Sequence, residues 1–247
     1  DETLRQHIHL HYDSQADPNM PQEARDYVAK TARLLTDAAA EVGAPMDRVL
    51  DLGCGVGGIS FELARSYARV LGIDVSATFI ETAQQIQEEG SRPYYLIEEG
   101  EIKVERVAKL PPNVDAARVE FKQADAMCLA PDLGAFDAVL VANMIDRLPA
   151  PASLLARLGG PRGLVRPGGI LAITSPFSWQ QRFTPRDLWL GGHETNEGDV
   201  RSVDTIKKTL AENFELLHEQ EIPLALREHA RKYDYALSHA SVWRHKK

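Results

Sequence analysis

The sequence is poor in cysteine, and the two that it has, Cys54 and Cys128, stand far apart among 247 residues. Because this spacing fits neither a disulfide framework nor a zinc motif, we expect free thiols in a reducing, cytoplasmic compartment. The chain also lacks any apolar run near the ~18 residues that a membrane helix needs. Its polar start, Asp1 to Arg5, has no apolar segment of the kind that a signal peptide contains. A first residue that is Asp rather than Met leads us to expect a domain from a longer chain or a trimmed protein.

Positive charge is also scarce. The chain has 28 Lys and Arg against 36 Asp and Glu, which gives a net charge of −8. Binding to a nucleic-acid backbone needs clustered Lys and Arg, so the composition disfavours a nucleic-acid partner. A membrane partner is not expected either, and we expect the chain to act on a small molecule.

Strand-like and helix-like segments alternate along most of the chain. This alternation predicts an α/β fold, a doubly wound and mostly parallel seven-stranded sheet with helices on both faces. Segment 136–142 has apolar residues on both faces, as a strand buried on both faces should have. The predicted strands are 49–52, 70–73, 119–125, 136–142, 170–174, 214–224 and 235–244. The predicted helices are 22–42, 58–66, 76–87, 151–158 and 202–213.

Two regions depart from this alternation. Residues 1–20 show no regular period, so we expect an irregular arm and then a cap helix, which together form an N-terminal unit over 1–45. The rest, 46–247, should form one compact domain. Within it, 91–118 holds two alternating segments around an acidic turn, which predicts an inserted hairpin. We expect strand six to run parallel to its neighbours, the last strand to be antiparallel, and 225–234 to be a loop.

A glycine-rich turn between a predicted strand and a predicted helix is the most informative stretch. The run Asp51-Leu52-Gly53-Cys54-Gly55 ends the first strand, and glycine there permits positive φ and a close approach of a ligand to the main chain. The next strand ends at Asp74, 21 residues after Gly53. Nucleotide-binding folds place a carboxylate beside the ribose at about this spacing. The pattern therefore predicts a ligand that contains a nucleoside.

Asp51 separates two classes of such ligand. A dinucleotide places its pyrophosphate at the start of the helix, where the Asp51 carboxylate would repel it. S-adenosylmethionine carries an ammonium and a sulfonium and has no phosphate, so the same carboxylate would attract it. The run Asp51 to Gly55 also resembles the first motif of the class I S-adenosylmethionine-dependent methyltransferases, which have a Rossmann-like fold. A nicotinamide enzyme, or a turn that binds nothing, is the alternative.

Further candidates lie at the ends of the other strands, because ligands of such sheets bind beyond the carboxyl ends. Asp74 would accept hydrogen bonds from the ribose and Asp125 from the adenine amino group, while Ala126 would offer a backbone N–H. A helix cap at Asp74 and a solvated acid at Asp125 are the alternatives. Cys54 is expected to be a small loop residue rather than a nucleophile. The predicted cofactor-binding residues are Asp51, Gly53, Cys54, Gly55, Asp74, Val75, Asp125, Ala126 and Asn143.

Several stretches, together with the glycine turn, resemble the methyltransferases of ovothiol biosynthesis, and this likeness covers nearly the whole chain. It implies methyl transfer from S-adenosylmethionine to a ring nitrogen of 5-thiohistidine (4-mercaptohistidine), which yields ovothiol A and S-adenosylhomocysteine. It also implies a sulfoxide synthase, fused to this domain or acting before it. The stretches are Asn143 to Leu148, Ser175 to Trp179, Thr184 to Gly192, Arg227 to Tyr233 and Ser241 to Arg244.

Methyl transfer needs an unprotonated ring nitrogen and a dry, oriented site. Asn143, Asp146 and Tyr12 are the candidate catalytic residues, as acceptors beside the ring, and helix capping is the alternative for Asp146. An Arg side chain can bind the substrate carboxylate through two parallel hydrogen bonds. For the predicted loop 225–234, which holds Arg227, a solvated basic loop is the alternative. The predicted substrate-binding residues are Phe177, Trp179, Trp189, His193, Arg227 and Lys232. The three aromatic residues would form walls around the substrate ring, and packing in the core is the alternative role for them.

Three histidines alternate near the start, at His7, His9 and His11. On one face of a strand they could bind a metal, but methyl transfer needs none, and we expect an exposed extended arm and no metal. Three other functions remain open: a methyltransferase for another small amino acid or imidazole, a nicotinamide oxidoreductase, and a non-catalytic module that binds S-adenosylmethionine.

Overall fold

A seven-stranded sheet with helices on both faces is the centre of the computed structural model, which describes residues 1–160, 162–196 and 198–247. The strands are β1 (Arg48–Leu52), β2 (Arg69–Asp74), β3 (Ser91–Glu99), β4 (Ile102–Lys109), β5 (Val119–Gln123), β6 (Phe136–Ala142), β7 (Val165–Ser175), β8 (His193–Thr195), β9 (Gly198–Val200), β10 (Phe214–His229) and β11 (Lys232–His245). The helices are α1 (Glu2–Tyr12), α2 (Tyr27–Val42), α3 (Gly58–Leu63), α4 (Ala77–Glu89), α5 (Pro151–Leu158) and α6 (Ser202–Leu210).

The strand order in the sheet is β10-β11-β7-β6-β1-β2-β5. The pairs from β7 to β5 are all parallel, and β11 lies antiparallel between β7 and β10. The predicted doubly wound, mostly parallel sheet with an antiparallel last strand is thereby confirmed. Strand β10 points the same way as β7, but its hydrogen-bonded neighbour is the antiparallel β11. The expectation that strand six has parallel neighbours is therefore wrong.

The core has two layers because the central strands are covered on both faces. Successive strand residues point to opposite faces: Val49 packs in one apolar cluster, and Leu50 packs in the other. The first cluster includes α2 and the second includes α5 and α6. Every residue of β6 is buried, which explains why apolar residues occupy both of its faces. Its one charged residue, Asp137, pairs with Arg166 at 2.8 Å.

The N-terminal segment is helical, so the predicted irregular, exposed arm is wrong. The Asp1 carboxylate caps α1 by accepting a hydrogen bond from the Thr3 N–H at 2.9 Å. Ile8 and Leu10 are buried in the same cluster as α2, and this packing supplies the stability that a short helix lacks by itself. Helix α2 begins at Tyr27 rather than at 22, because a separate 3₁₀ turn occupies Gln22–Ala24.

Two hairpins project from the sheet region. Strands β3 and β4 form the predicted inserted hairpin. Strands β10 and β11 are longer than predicted, and residues 225–234, expected to be a loop, are nearly all paired strand, with Arg227 opposite Tyr233. This extension is stabilised by burial, since Ala225 packs with Met20 and Ala24.

Other boundaries differ by a few residues. Helix α3 ends at Leu63, α6 ends at Leu210, β5 ends at Gln123 and β7 begins at Val165. The short hairpin of β8 and β9 was not predicted. Within the described residues, no helix combines the length and apolarity required to cross a bilayer.

Candidate active site

The glycine turn after β1 is held against β2. Gly53 and Gly55 have φ of 79° and 56°, which confirms the expected positive values. The Gly53 N–H donates to the Ile73 carbonyl at 2.7 Å. A side chain at Gly53 would place its Cβ 2.8 Å from the Met144 sulfur. Only glycine satisfies both the dihedral angles and the space at this position.

Asp74 joins the glycine turn to the end of β2. Its Oδ2 accepts a hydrogen bond from the Gly55 N–H at 3.0 Å, and its Oδ1 accepts one from the Ser76 N–H at 2.8 Å. Each carboxylate oxygen can accept a further hydrogen bond. The N-cap of α4 is Ser76, which accepts from the Phe79 N–H. Asp74 is thus oriented toward the ligand edge and is not the helix cap.

Asp51 is completely buried at the end of β1. Its Oδ2 accepts a hydrogen bond from the Ser60 hydroxyl at 2.6 Å, and its Oδ1 has no partner among the described residues. Burial raises its pKa to about 7, against the lowering effect of Ser60, and the nearby Asp74 adds to the rise. A buried oxygen without a partner is costly, so this carboxylate suits a cationic ligand.

A pocket of about 290 Å³ opens beside Asp74, at the ends of β1, β2 and β5. Its walls are mainly apolar, and Leu52, Ile73, Met144 and Leu148 contribute to them. A flat ring fits such a pocket when a few polar groups at its rim orient it. The predicted cofactor residues among its lining are Gly53, Asp74, Val75, Asp125 and Ala126.

Of the predicted cofactor residues, Asp51, Cys54, Gly55 and Asn143 do not line this pocket, whereas Asp125 and Val75 lie at its rim. Cys54 is buried, and burial raises the pKa of its thiol well above the usual range, as expected of a loop residue that is not a nucleophile. Asp125 is exposed, and its Oδ1 accepts from the Met127 N–H at 2.8 Å. Val75 is 66% exposed, so it leaves an apolar surface open at the pocket rim.

Helix α1 covers the glycine turn. The Tyr12 hydroxyl donates to the Val56 carbonyl, and the Gly58 N–H donates to Nδ1 of His11 at 3.1 Å. His7 packs on Phe79 with ring centroids 4.9 Å apart. Because the segment is a helix and not a strand, the alternating spacing does not place His7, His9 and His11 on one strand face. In the described residues, no group of three or more His, Cys, Asp or Glu side chains could hold a metal ion.

Asn143 lies after β6 in a left-handed conformation, with φ of 52°. Its side-chain oxygen accepts from the hydroxyls of Thr174 at 3.0 Å and Ser238 at 2.8 Å. Its Nδ2 donates to the Tyr27 hydroxyl at 2.9 Å. The side chain thus links β7, β11 and α2 at the ligand edge.

Asp146 is buried in the 3₁₀ turn after β6. Its Oδ2 accepts from the Ser178 N–H at 2.8 Å, while its Oδ1 is without a partner in the described part of the chain. Burial raises its pKa, although Arg147 and backbone hydrogen bonds oppose the rise. Asp146 is not the N-cap of a helix: the turn is capped at Met144 and α5 at Ala150.

The predicted ring walls lie after β7. Phe177, Trp179 and His193 line a cavity of about 530 Å³. Trp189 stacks on Trp179 with centroids 6.1 Å apart and does not line that cavity itself. Nδ1 of His193 is buried and has no partner among the described residues.

Arg227 lies in β10 rather than in a loop, and it is buried. Its Nη1 donates to Oδ2 of Asp17 at 2.9 Å, and its Nη2 donates to Oε1 of Glu98 at 2.7 Å. Lys232, by contrast, is exposed and pairs with Glu228 at 2.7 Å. The structure therefore does not bring Arg227 and Lys232 together with the aromatic cavity.

The sequence analysis missed three residues that contact the site, two from the N-terminal segment and one from β11. Tyr27 and Ser238 bond to Asn143, and His11 bonds to the glycine turn. The spacing of His7 and His11 was a usable signal, since residues four apart share one face of a helix. No comparable signal marked Ser238, because its contact depends on how β11 pairs with β7.

The chain matches the family profile described as "Methyltransferase domain" over residues 50–173, half of its length. It is 29% identical over 190 residues to a 2-methyl-6-phytyl-1,4-hydroquinone methyltransferase of Synechocystis, and the alignment covers 74% of this chain and 48% of that protein. It is 28% identical over 138 residues to a ubiquinone biosynthesis O-methyltransferase of Xanthomonas campestris, which covers 56% of this chain and 46% of that one. The chain thus spans about half the length of these curated relatives.

Solved structures agree on the fold. The N-methyltransferase NodS from Bradyrhizobium japonicum, in complex with S-adenosylhomocysteine, superposes with a TM-score of 0.56 over 99% of both chains at 15% identity. The magnesium protoporphyrin IX methyltransferase from Synechocystis, with bound S-adenosylmethionine, gives 0.54 over 90% of this chain and 81% of that one at 17% identity. At such identities the likeness concerns the fold alone.

The sheet order, the glycine turn and Asp74 are those of a class I S-adenosylmethionine-dependent methyltransferase. With the profile match, the chain belongs to the methyltransferase domain family, and S-adenosylmethionine is its cofactor, with S-adenosylhomocysteine as the product. The residues present fit that cofactor. Asp74 has free acceptor positions for ribose, the apolar pocket suits adenine, and the unpartnered Oδ1 of Asp51 suits the ammonium group.

Proposed function

We propose that the chain methylates a ring nitrogen of 5-thiohistidine and so produces ovothiol A. One observation carries the proposal: three of the stretches that resemble ovothiol methyltransferases, Asn143 to Leu148, Ser175 to Trp179 and Thr184 to Gly192, contact one another after β6 and β7. The Ser178 N–H bonds to Asp146, and the Thr184 hydroxyl donates to the Leu148 carbonyl at 2.6 Å. Segments that are far apart in the sequence therefore form one surface where a substrate must bind.

The names of relatives support a small-molecule substrate but differ in the acceptor. One acts on a hydroquinone, one is an O-methyltransferase, and NodS is an N-methyltransferase. A hydroxyl of a small aromatic molecule is therefore the second candidate acceptor.

When bound, S-adenosylmethionine supplies a methyl group on a sulfonium that is also the leaving group. The chain orients the acceptor atom, excludes water and receives the ring proton. Asp146 is the proposed proton acceptor, because it is buried and one of its oxygens has no partner in the described residues. Asn143 and Tyr12 are proposed to position the site, since their polar groups are already bonded to neighbouring segments.

Phe177, Trp179 and His193 are proposed to enclose the thioimidazole, with Trp189 stacked behind Trp179. The unpartnered Nδ1 of His193 is available to the substrate. Arg227 and Lys232 were predicted to bind the substrate carboxylate. For Arg227 this role would require an exchange of its present partners, Asp17 and Glu98.

The thiohistidine itself must come from an enzyme that places sulfur on the histidine ring. We propose a sulfoxide synthase, either fused to this domain or acting before it, as the source. We also propose that the reaction takes place in the cytoplasm, where Cys54 and Cys128, which are both free, would stay reduced. The unit boundary near residue 45 likewise stays a proposal.

The test is to incubate the protein with S-adenosylmethionine and, separately, with 5-thiohistidine, histidine, imidazole and a hydroquinone, and to look for a mass gain of one methyl group. Polar groups built for the sulfur are left unpaired by histidine, so thiohistidine should be preferred by roughly 10²-fold or more in kcat/KM. Equal turnover of thiohistidine and histidine would refute the proposed substrate. Turnover of the hydroquinone alone would establish the second candidate, and binding of NAD in place of S-adenosylhomocysteine would indicate an oxidoreductase.

A further inference from the structure

Helix α1 turns two imidazole rings toward the glycine turn. His7 and His11 lie four residues apart on one helix face, with ring centroids 6.4 Å apart. A Cβ at Gly55 would lie 3.7 Å from both Cε1 and Nε2 of His11 and 4.0 Å from Cδ2 of His7. The edge of His11 that carries Nε2 therefore lies beside Gly55 of the glycine turn.

The hydrogen bonds fix which nitrogen of each ring carries the proton. A backbone N–H can only donate, so Nδ1 of His11 must be the acceptor of the Gly58 N–H, and the proton of the neutral ring is on Nε2. His7 is the opposite tautomer, because its Nδ1 donates to the Thr3 carbonyl at 2.8 Å. Burial lowers the pKa of His11 to about 3 and also lowers that of His7, so both rings are neutral at pH 7.

The polar groups on the two sides of the glycine turn suit different groups of a bound amino acid, the ammonium on one side and the carboxylate on the other. Asp51 and Asp74 lie on the sheet side of the turn, where they attract an ammonium and repel a carboxylate. On the α1 side, Nε2–H of His11 is a donor with no acceptor in the described part of the chain. Desolvated carboxylates require such donors.

We infer that His11 binds the carboxylate of the amino-acid part of S-adenosylmethionine through its Nε2–H, while the bond from Gly58 holds the ring in the required tautomer. This inference rests on the cofactor assignment and adds a residue to that site. Without a ligand contact, His11 would only cap α3, and removal of its Nε2–H would then leave cofactor affinity unchanged.

Two variants separate these roles. In His11→Asn, the side-chain amide oxygen can still accept from the Gly58 N–H, but the Nε2 donor is gone. In His11→Gln, the amide reaches the position of Nε2, but the acceptor for Gly58 is lost. Calorimetry should use S-adenosylhomocysteine and 5′-methylthioadenosine, which lacks the whole amino-acid part, and also compare S-adenosylmethionine with its decarboxylated form.

We expect His11→Asn to bind S-adenosylhomocysteine at least tenfold more weakly than the wild type and to bind 5′-methylthioadenosine with unchanged affinity. The affinity of His11→Gln for S-adenosylhomocysteine should lie between those of His11→Asn and the wild type. The wild type should prefer S-adenosylmethionine over its decarboxylated form, and His11→Asn should lose that preference. Equal losses for all ligands, or no loss, would overturn the inference. A wild type that binds no S-adenosylhomocysteine would instead contradict the cofactor assignment.

A measurement on the wild type covers the case in which the variants fold poorly. With ¹⁵N-labelled histidine, NMR should show His11 protonated at Nε2, and that resonance should shift with S-adenosylhomocysteine but not with 5′-methylthioadenosine. The inference would be refuted, without any variant, if His11 were protonated at Nδ1 or if its Nε2 resonance did not shift when S-adenosylhomocysteine is added.

Discussion

Replacement of Arg227 by methionine tests whether this residue holds the fold together or binds substrate. Its side chain is 4% exposed, and its guanidinium joins three segments: β10, the residues after α1 through Asp17, and the inserted hairpin through Glu98. Oδ2 of Asp17 also accepts from the Tyr233 hydroxyl at 2.7 Å and contacts Nε2 of His9 at 3.0 Å. Burial favours a raised pKa for Asp17, but hydrogen bonds from Tyr233, the Asn19 N–H and Arg227 outweigh it and hold the pKa at about 2.

Removal of Arg227 would raise the pKa of Asp17, because that guanidinium contributes to the lowering, but the hydrogen bonds from Tyr233 and the Asn19 N–H remain and favour a buried carboxylate that has lost its cation. Breaking one partner of a buried ion pair costs about 3–5 kcal/mol. For a domain of this size, each kcal/mol lowers Tm by roughly 2–4 °C, so we expect a loss of about 6–20 °C. Lys232→Met removes an exposed cation from the same hairpin and should leave Tm unchanged.

The assay is a thermal melt together with steady-state kinetics on 5-thiohistidine. The double variant Asp17→Asn, Arg227→Met should recover most of the stability, because no unpaired charge is left. If that variant melts normally but its KM is still at least tenfold higher, Arg227 binds the substrate carboxylate as the sequence predicted. If its KM returns to the wild-type value, Arg227 only fixes the N-terminal segment. A normal Tm for Arg227→Met alone would refute the reasoning about the buried pair.

Two further predictions concern the cofactor site. Asp74→Ala should weaken S-adenosylhomocysteine binding by ~1.5–3 kcal/mol in calorimetry, the range for hydrogen bonds to a charged group, and unchanged affinity would exclude Asp74 as the ribose ligand. Because the pKa of Asp51 is about 7, its carboxyl is protonated below pH 7, and S-adenosylhomocysteine affinity should fall from pH 7 to pH 5 as the charge facing the ammonium disappears. Asp51→Asn should bind weakly with no such pH dependence, and a wild-type affinity that is equal at both pH values would contradict this role.

Much of the sheet and of the cofactor site could be predicted from local sequence. The six apolar residues of β6, which lie on both faces of the strand, indicated a strand that is buried on both sides. Helix α5 was predicted with its observed bounds, since Pro151 stands at its first position, where proline is favoured. The glycine turn and Asp74 were recognisable because each of their requirements, positive φ and an acid at a strand end, concerns one short segment.

What the local sequence could not determine was how distant segments meet. The alternating histidines at the start resembled an extended arm, yet burial of Ile8 and Leu10 makes the segment a helix, and only then does His11 reach the glycine turn. Arg227 was expected in a loop that binds the substrate carboxylate, but it lies in β10, where it pairs with Asp17 and Glu98, 210 and 129 residues earlier in the chain. A hydrogen bond within one turn or strand depends on neighbouring residues, whereas a buried ion pair between remote segments depends on the packing of the whole molecule.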